Sequence, residues 1–288
     1  MTAVPAMPAV PAPVDAIAAA EARAALPPGR VLADIALITG RNLRKVRRNS
    51  RIILFSVIQP LMQLVLFAYV FGAVATVGHG ISYKDFVVPA VLVQTMVFAA
   101  MGSGVGIATD LHTGMIDRFR SLPIARSAFL VGRTVSDSSR LGIQAILLVI
   151  ASMLIGFRFH AGVPAAIGMT VVVVLFGMAL CSFSAWIGLS IGDPEAVQAA
   201  VFIPIMPLVF TSSAFAPITR LPEWMQPFAR ANPVTAAIDL ARGLALGDSE
   251  LYRISGVHTT TALWHFVLWW IAIVVVFTGL AVRRYRRG

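Results

Sequence analysis

The sequence has little charge and almost no cysteine. Asp, Glu, Lys and Arg make up 12% of its 288 residues, while hydrophobic residues make up 58%. A soluble domain carries roughly twice that share of charged residues, so the composition predicts a protein whose surroundings are largely lipid. The only cysteine, Cys181, lies within an apolar run. It excludes an internal disulfide framework, and a zinc site of the Cys/His type is not available.

Motifs for catalysis are also missing. The sequence has no GxxxxGK[ST] phosphate loop, so the chain cannot hydrolyse ATP by that route alone. No carboxylate pair and no HExxH, GxSxG or Ser-Lys arrangement is convincingly placed for catalysis within the membrane. Asp193 and Glu195 flank Pro194, which is typical of a tight turn. The apolar runs hold almost no ionisable side chains, with His265 as the exception, and we expect no metal or cofactor in this chain. These absences disfavour an intramembrane enzyme, and also an ion-driven carrier, which normally has acidic residues inside its spans.

Six apolar runs are long enough to cross a bilayer as helices, because a span needs about 20 mostly apolar residues. We predict these spans near residues 52–72, 86–108, 141–157, 164–191, 196–216 and 262–282. The third begins beside Arg133, Asp137 and Arg140. The predicted fold class is therefore an all-α integral membrane protein with six transmembrane helices.

The positions of the basic residues predict its orientation. The net charge is +10, but most basic residues adjoin the apolar runs, which indicates membrane topology rather than nucleic-acid binding. With the N terminus inside, 17 Lys and Arg residues fall on the cytoplasmic side and 6 on the outside. Both termini are therefore predicted to be cytoplasmic. Residues 1–30 are rich in Ala and Pro and are predicted to be a disordered cytoplasmic tail, followed by one membrane domain over residues 31–288.

An amphipathic segment precedes the first span, from Leu32 to Arg51. Its apolar residues recur with helical spacing, and six basic residues crowd its end, as in a helix that lies on the inner membrane surface. A connecting helix that transmits force from a soluble partner is one interpretation. Plain positive-inside anchoring explains the charges equally well.

A second amphipathic segment lies in the predicted cytoplasmic loop after the second span. Its apolar residues share one helical face, and Pro123 ends the helix. Such a short helix suits docking into a groove on another protein, and a solvated charged loop is the alternative. The predicted docking residues are Gly114, Met115, Ile116, Asp117, Arg118, Phe119, Arg120 and Leu122.

The predicted outer connection, residues 217–261, is too polar and too rich in proline near its start to cross the membrane. Trp224 and Phe228 suit a membrane interface. Asn232 and Pro233 predict the N-cap and the first position of a helix, whose apolar face is formed by Val234, Ile238, Ala241 and Leu244. Such a pair of helices would dip into the outer leaflet as a lid, and an ordinary extracellular loop is the alternative.

Three glutamines lie inside the predicted spans: Gln59 and Gln63, one turn apart in the first, and Gln94 in the second. Uncharged amides are compatible with hydrogen bonds between helices. A role in a substrate pathway is the alternative interpretation.

Three stretches carry a resemblance to a known family. They are the basic helix before the first span, Ala108 to Arg126 (ATDLHTGMIDRFRSLPIAR), and Thr211 to Gly247 with its core LPEWMQPFARANPV. They resemble the ABC type-2 transporter permeases, especially the DrrB-like daunorubicin-resistance branch of bacterial drug exporters. The resemblance covers about Val31 to Gly288.

The resemblance implies a permease subunit of an exporter in the bacterial cell membrane. It implies a second permease subunit and two copies of a separate ATPase, which would bind ATP and Mg, while no residue of this chain is catalytic. Residues 114–122 would be the coupling helix, Leu32–Arg51 the connecting helix, and residues 217–246 the outer re-entrant helices. The few charges in the spans favour hydrophobic or amphipathic cargo, such as an antibiotic or a lipid-like product. Export of a lipid-linked polysaccharide is the alternative.

Overall fold

The computed structural model describes residues 50–71, 82–114, 126–160 and 162–287, and every regular element within these ranges is a helix. The predicted tail, the predicted connecting helix up to residue 49 and residues 115–122 of the predicted coupling helix lie outside the described residues. The α-helices are α1 (Ser50–Val65, continued by a π-helix at Leu66–Phe71), α2 (Tyr83–His112), α3 (Arg126–Leu154), α4 (Gly162–Ile191), α5 (Pro194–Phe210), α6 (Gln226–Ala231), α7 (Pro233–Leu246), α8 (Asp248–Ser255) and α9 (Thr259–Arg287), with a 3₁₀ turn at Ile218–Arg220 before α6.

Four stretches of helix are long and apolar enough to cross a membrane: Tyr83–His112, Ser136–Leu154, Gly162–Ile191 and Thr259–Arg284. Two shorter apolar helices, Ile58–Val70 and Pro194–Phe210, lie where the sequence predicts the first and fifth spans. An all-helical membrane domain is therefore confirmed. The count of six spans stays a prediction.

The third predicted span differs from the helix that contains it. The sequence places it at residues 141–157, whereas α3 runs over Arg126–Leu154 and ends earlier than predicted. The helix begins well before the apolar run, and two of the charged residues that precede this run, Asp137 and Arg140, have partners on α2. One of them is Arg140, whose Nη2 donates a hydrogen bond to the Ala99 carbonyl at 2.8 Å.

The fifth predicted span, residues 196–216, also differs from its helix. The helix α5 ends at Phe210, where Thr211 forms the C-cap. Pro204 and Pro207 lie inside it, and each removes one backbone donor. At its start, Asp193 accepts a hydrogen bond from the Ala196 N–H at 2.8 Å. This aspartate, interpreted from the sequence as part of a turn, is therefore an N-cap.

The central helices of the fold are α2 and α4. In the most apolar 18-residue window of each candidate span, 78% of the residues are buried in α2 and 44% in α4, against 28% in α3 and 17% in α9. In addition, α4 packs against α2, α3, α7 and α9. The two central helices therefore position the others, while α3 and α9 leave broad apolar faces uncovered in this single chain.

The bundle has two distinct ends. At one end, which we name the α7 end, the His160 N–H donates to the Ala245 carbonyl at 3.0 Å. At the other, which we name the basic end because arginines follow there in α9, Ile107, Leu189 and Ala281 pack together. The sequence predicts that the α7 end is extracellular and that the basic end is cytoplasmic.

The helix α7 is buried more deeply than a helix in an ordinary loop. The Asn232 side chain accepts a hydrogen bond from the Val234 N–H at 2.8 Å, and Pro233 follows as the first residue. These contacts confirm the predicted cap. Buried residues occupy all sides of α7 rather than one apolar face, because α2, α4 and α9 all pack against it. The predicted outer helix is therefore part of the core.

Candidate functional site

A buried arginine joins three segments at the α7 end. The Arg242 side chain has 0% exposure. Its Nε donates to the Phe86 carbonyl at 3.0 Å, and its Nη2 donates to the Ser213 carbonyl at 2.8 Å. The guanidinium also lies over the Phe86 ring, 3.8 Å from the ring centroid. A buried charge is costly unless its donors are satisfied, so these contacts fix α7 against the first turn of α2 and the loop after α5.

The negative partner of this arginine is Asp239, one turn earlier in α7. Its Oδ1 lies 3.5 Å from Arg242 Nη1, with side-chain exposures of 7% and 0%. The Ser213 hydroxyl bridges the pair, because it accepts from Arg242 Nη1 at 3.3 Å and donates to Asp239 Oδ1 at 3.0 Å. Burial raises the pKa of Asp239, and the charge of Arg242 opposes that rise. We refer to Phe86, Ser213, Asp239 and Arg242 as the arginine clamp.

The capping residue of α7 also holds the end of α5. Besides capping α7, Asn232 donates from Nδ2 to the Leu208 carbonyl at 2.6 Å and to Thr211 Oγ1 at 3.1 Å. The last carbonyls of a helix have no partner within the helix, and one amide here satisfies one of them. Asn232 therefore ties the start of α7 to the end of α5 beside the arginine clamp.

Small residues let α2 and α4 meet backbone to backbone. The Ser184 hydroxyl accepts from the Gly104 N–H at 3.1 Å and donates to the Met101 carbonyl at 3.2 Å. A Cβ atom added at Gly104 would lie 2.4 Å from the Ser184 carbonyl oxygen, and one at Gly188 would lie 2.5 Å from the Gly104 carbonyl oxygen. Only glycine fits at these two positions. We refer to Gly104, Ser184 and Gly188 as the α2–α4 seam.

Charged residues of α3 lie beside this seam. The Ser103 hydroxyl donates to Asp137 Oδ2 at 2.5 Å, next to the contact of Arg140 with α2. Asp137 and Arg140 both fall within the candidate span Ser136–Leu154. The expectation that His265 is the exception among the spans is therefore wrong, because the third apolar helix begins before these charged residues and not after them.

The three glutamines of the predicted spans take different positions. Gln63 Nε2 donates to Gln94 Oε1 at 3.0 Å, which joins α1 to α2, and Gln94 is only 5% exposed. Gln59 is exposed in this single chain. The hydrogen bond agrees with the interpretation of these amides as contacts between helices. Their role in a substrate pathway stays a prediction.

The described part of the predicted coupling helix is Gly114. It follows the C-cap of α2 with a φ of 65°, a left-handed conformation that suits glycine after a helix. The helix α2 therefore ends directly before the predicted docking residues. On the predicted outer segment, Trp224 and Phe228 are 70% and 69% exposed, as residues at a membrane interface would be.

Sequence reasoning did not find the arginine clamp. It counted Arg242 only as one positive charge in an outer loop. A signal was present, because Asp239 and Arg242 are three residues apart among small apolar residues in α7. Opposite charges at this spacing face each other on a helix, and such a pair in an otherwise apolar helix indicates a buried contact.

Comparison with known proteins gives a consistent result. Residues 33–246 match the family model of the ABC-2 type transporter. The daunorubicin resistance ABC transporter permease protein DrrB1 of Streptomyces coeruleorubidus is 32% identical over 230 residues, 80% of this chain and 78% of its own length. The probable doxorubicin resistance ABC transporter permease protein DrrC of Mycobacterium tuberculosis is 23% identical over 231 residues, 80% and 83% of the two chains. The putative transport permease ycf38 of Porphyra purpurea is 27% identical over 215 residues, 73% and 72%.

Proposed function

The chain belongs to the ABC-2 type transporter family as a multi-pass membrane permease subunit of an ABC exporter, and from this premise we propose that its cargo is a hydrophobic or amphipathic compound. Two of its relatives are named for resistance to daunorubicin and doxorubicin. The charges in the core support the same class of cargo, since Asp137 and Arg242 are engaged by the protein itself. Apolar surface is then left for the compound.

The same proposal includes the partners and the topology. A separate ATPase in two copies would supply the energy, because this sequence has no phosphate loop of its own. The transport pathway would lie between this chain and a second permease subunit. The helices α1 and α5 would cross the membrane together with the four long helices, which gives six spans with both termini in the cytoplasm.

The proposed mechanism rests on the length of α2 and on what its two ends contact. This helix has 30 residues, and at about 1.5 Å per residue it is roughly 45 Å long, comparable to a bilayer with its headgroups. Its first turn provides the carbonyl bound by Arg242, and its last residues precede Gly114. A push on residues 114–122 by the ATPase would therefore reach the α7 end through one continuous helix.

The seam supports this transmission. Because Gly104, Ser184 and Gly188 bring the backbones of α2 and α4 into contact, the two helices would move as one unit. The helix α4 in turn packs against α7 and α9. The movement would then open or close the α7 end.

The experiment that tests the docking role reverses two charges, Arg118→Glu with Arg120→Glu, in the full chain expressed with its ATPase. We expect loss of transport and of permease-stimulated ATP hydrolysis, with normal membrane insertion, because the docking segment would meet its groove with the wrong charge. The matched control is Arg283→Glu with Arg284→Glu, the same change on the same predicted side at the end of α9. Normal coupling in the first double variant would refute the docking role of residues 114–122.

A further inference from the structure

A cavity of about 560 Å³ opens at the α7 end, next to the arginine clamp. Its wall is formed by residues of the 3₁₀ turn, α6, α7, α8 and the start of α9. Pockets that hold small molecules are usually about 300 to 1,000 Å³, so the size is sufficient for a headgroup or a compact ligand. Nothing in the proposed transport mechanism uses this cavity.

The wall of the cavity carries an excess of positive charge. Arg220, Arg230 and Arg253 line it, each from a different segment. Arg253 pairs with Glu250 at 3.2 Å, whereas in the part of the chain that the structure describes no carboxylate pairs with Arg220 or Arg230. Among the described lining residues the one acid is Asp239, which is already engaged by the clamp. Two guanidinium groups are thus available to an anion.

The remaining wall is suited to an amphipathic molecule. Ile218, Ile254 and Val257 provide apolar surface, and the first two are buried. Arg230 shares the short helix α6 with Phe228, whose exposed ring is typical of the membrane interface. The cavity therefore lies where lipid headgroups are expected, with both a charged side and an apolar side.

We propose that this cavity binds a phosphate-bearing anion, with Arg220 and Arg230 as its principal ligands. Arginine is suited to this role because its planar guanidinium donates two parallel hydrogen bonds to phosphate oxygens. The apolar wall would contact the body of an anionic lipid from the outer leaflet, and free phosphate is the other source of the same chemistry. The site goes beyond the proposed function, since it requires neither ATP nor a drug.

The test measures which lipid the protein retains. The full chain is reconstituted in vesicles of equal dioleoyl phosphatidylglycerol and dioleoyl phosphatidylcholine, extracted in mild detergent and examined by native mass spectrometry. We expect selective retention of phosphatidylglycerol, and about a hundredfold weaker binding of it to Arg220→Gln with Arg230→Gln, because the loss of each charged ligand costs on the order of one factor of ten in affinity. Arg220→Lys with Arg230→Lys should give an intermediate value, because it keeps the charge and loses the paired donors.

The matched control is Lys84→Gln with Arg158→Gln, two basic residues of the same end that do not line the cavity; it should retain the lipid as the unmodified chain does. If the chain retains no lipid selectively but binds inorganic phosphate in equilibrium dialysis, and the Arg220→Gln/Arg230→Gln variant does not, the ligand is free phosphate. Equal retention of the two lipids without phosphate binding would overturn the proposal. Undiminished retention in that variant would overturn it as well.

Discussion

The two ends of α2 are held by opposite kinds of contact. At the α7 end one long side chain, Arg242, reaches across three segments with directional hydrogen bonds. Toward the basic end, the α2–α4 seam has almost no side chains, and two backbones touch. A buried charged network holds one geometry, but it can switch to another arrangement, because carbonyls and hydroxyls can exchange hydrogen-bond partners. Two close-packed backbones have no alternative arrangement, because any shift would make their atoms clash. The comparison therefore assigns movement to the clamp and rigidity to the seam.

The largest effect is expected at the clamp, in Arg242→Met. Removal of one member of a buried ion pair costs about 3 to 5 kcal/mol, because Asp239 and the carbonyls of Phe86 and Ser213 lose their donor. Unfolding can be measured with a thiol-reactive dye, since the only cysteine, Cys181, is buried in α4. We expect a clearly lower melting temperature in detergent.

A double variant separates charge from packing at the clamp. Arg242→Met combined with Asp239→Leu leaves no buried carboxylate unpaired and should regain much of the lost stability. If the single variant melts like the unmodified chain, the clamp does not hold α7, and the assignment of movement to this end fails. If both variants are equally unstable, shape and not charge is what the clamp provides.

The second largest effect is expected at the seam, in Gly188→Ala. The added Cβ would lie 2.5 Å from the Gly104 carbonyl oxygen, so the two helices must separate, at about 1 to 3 kcal/mol. The matched control is Gly142→Ala in α3, where an added Cβ meets no atom within 4 Å. It should raise stability by about 0.5 to 1 kcal/mol, because alanine loses less entropy in a helix.

If the Gly188→Ala variant melts at the same temperature as the Gly142→Ala control, the seam accommodates the added methyl group easily. The proposed joint movement of α2 and α4 would then lose its basis. If the Gly188→Ala variant is less stable than the unmodified chain, the transport activity of the fraction that still folds should also be measured. We expect a loss of coupling larger than the loss of folded protein, because α4 would no longer follow α2.

The sequence predicted those features that depend on neighbouring residues. The apolar runs identify the long helices, and Asn232 followed by Pro233 identifies the start of α7, because capping is a local interaction. The clamp depends on distant partners, since Phe86 is 156 positions from Arg242 and Ser213 is 29 positions away. The contact of Arg140 with α2 depends in the same way on a distant residue, because the Ala99 carbonyl is 41 positions away. The spacing of Ser184 and Gly188 indicates a close-packing face on α4 but does not identify the helix that packs there.

The smallest effect is expected for the uncharged contact of α2 with α1. A double-mutant cycle with Gln63→Leu and Gln94→Leu should give a coupling energy of about 0.6 kcal/mol, the usual size for a polar pair between membrane helices. Gln59→Leu with Gln94→Leu is the matched control, one turn away on the exposed face, and should show no coupling. A value for Gln63 and Gln94 as large as the Arg242 effect would mean that any buried polar contact holds α2 equally well. The charge of Arg242 would then add nothing to the stability of the clamp. The two ends of α2 would differ only in that one is held by polar contacts and the other by close packing of backbones.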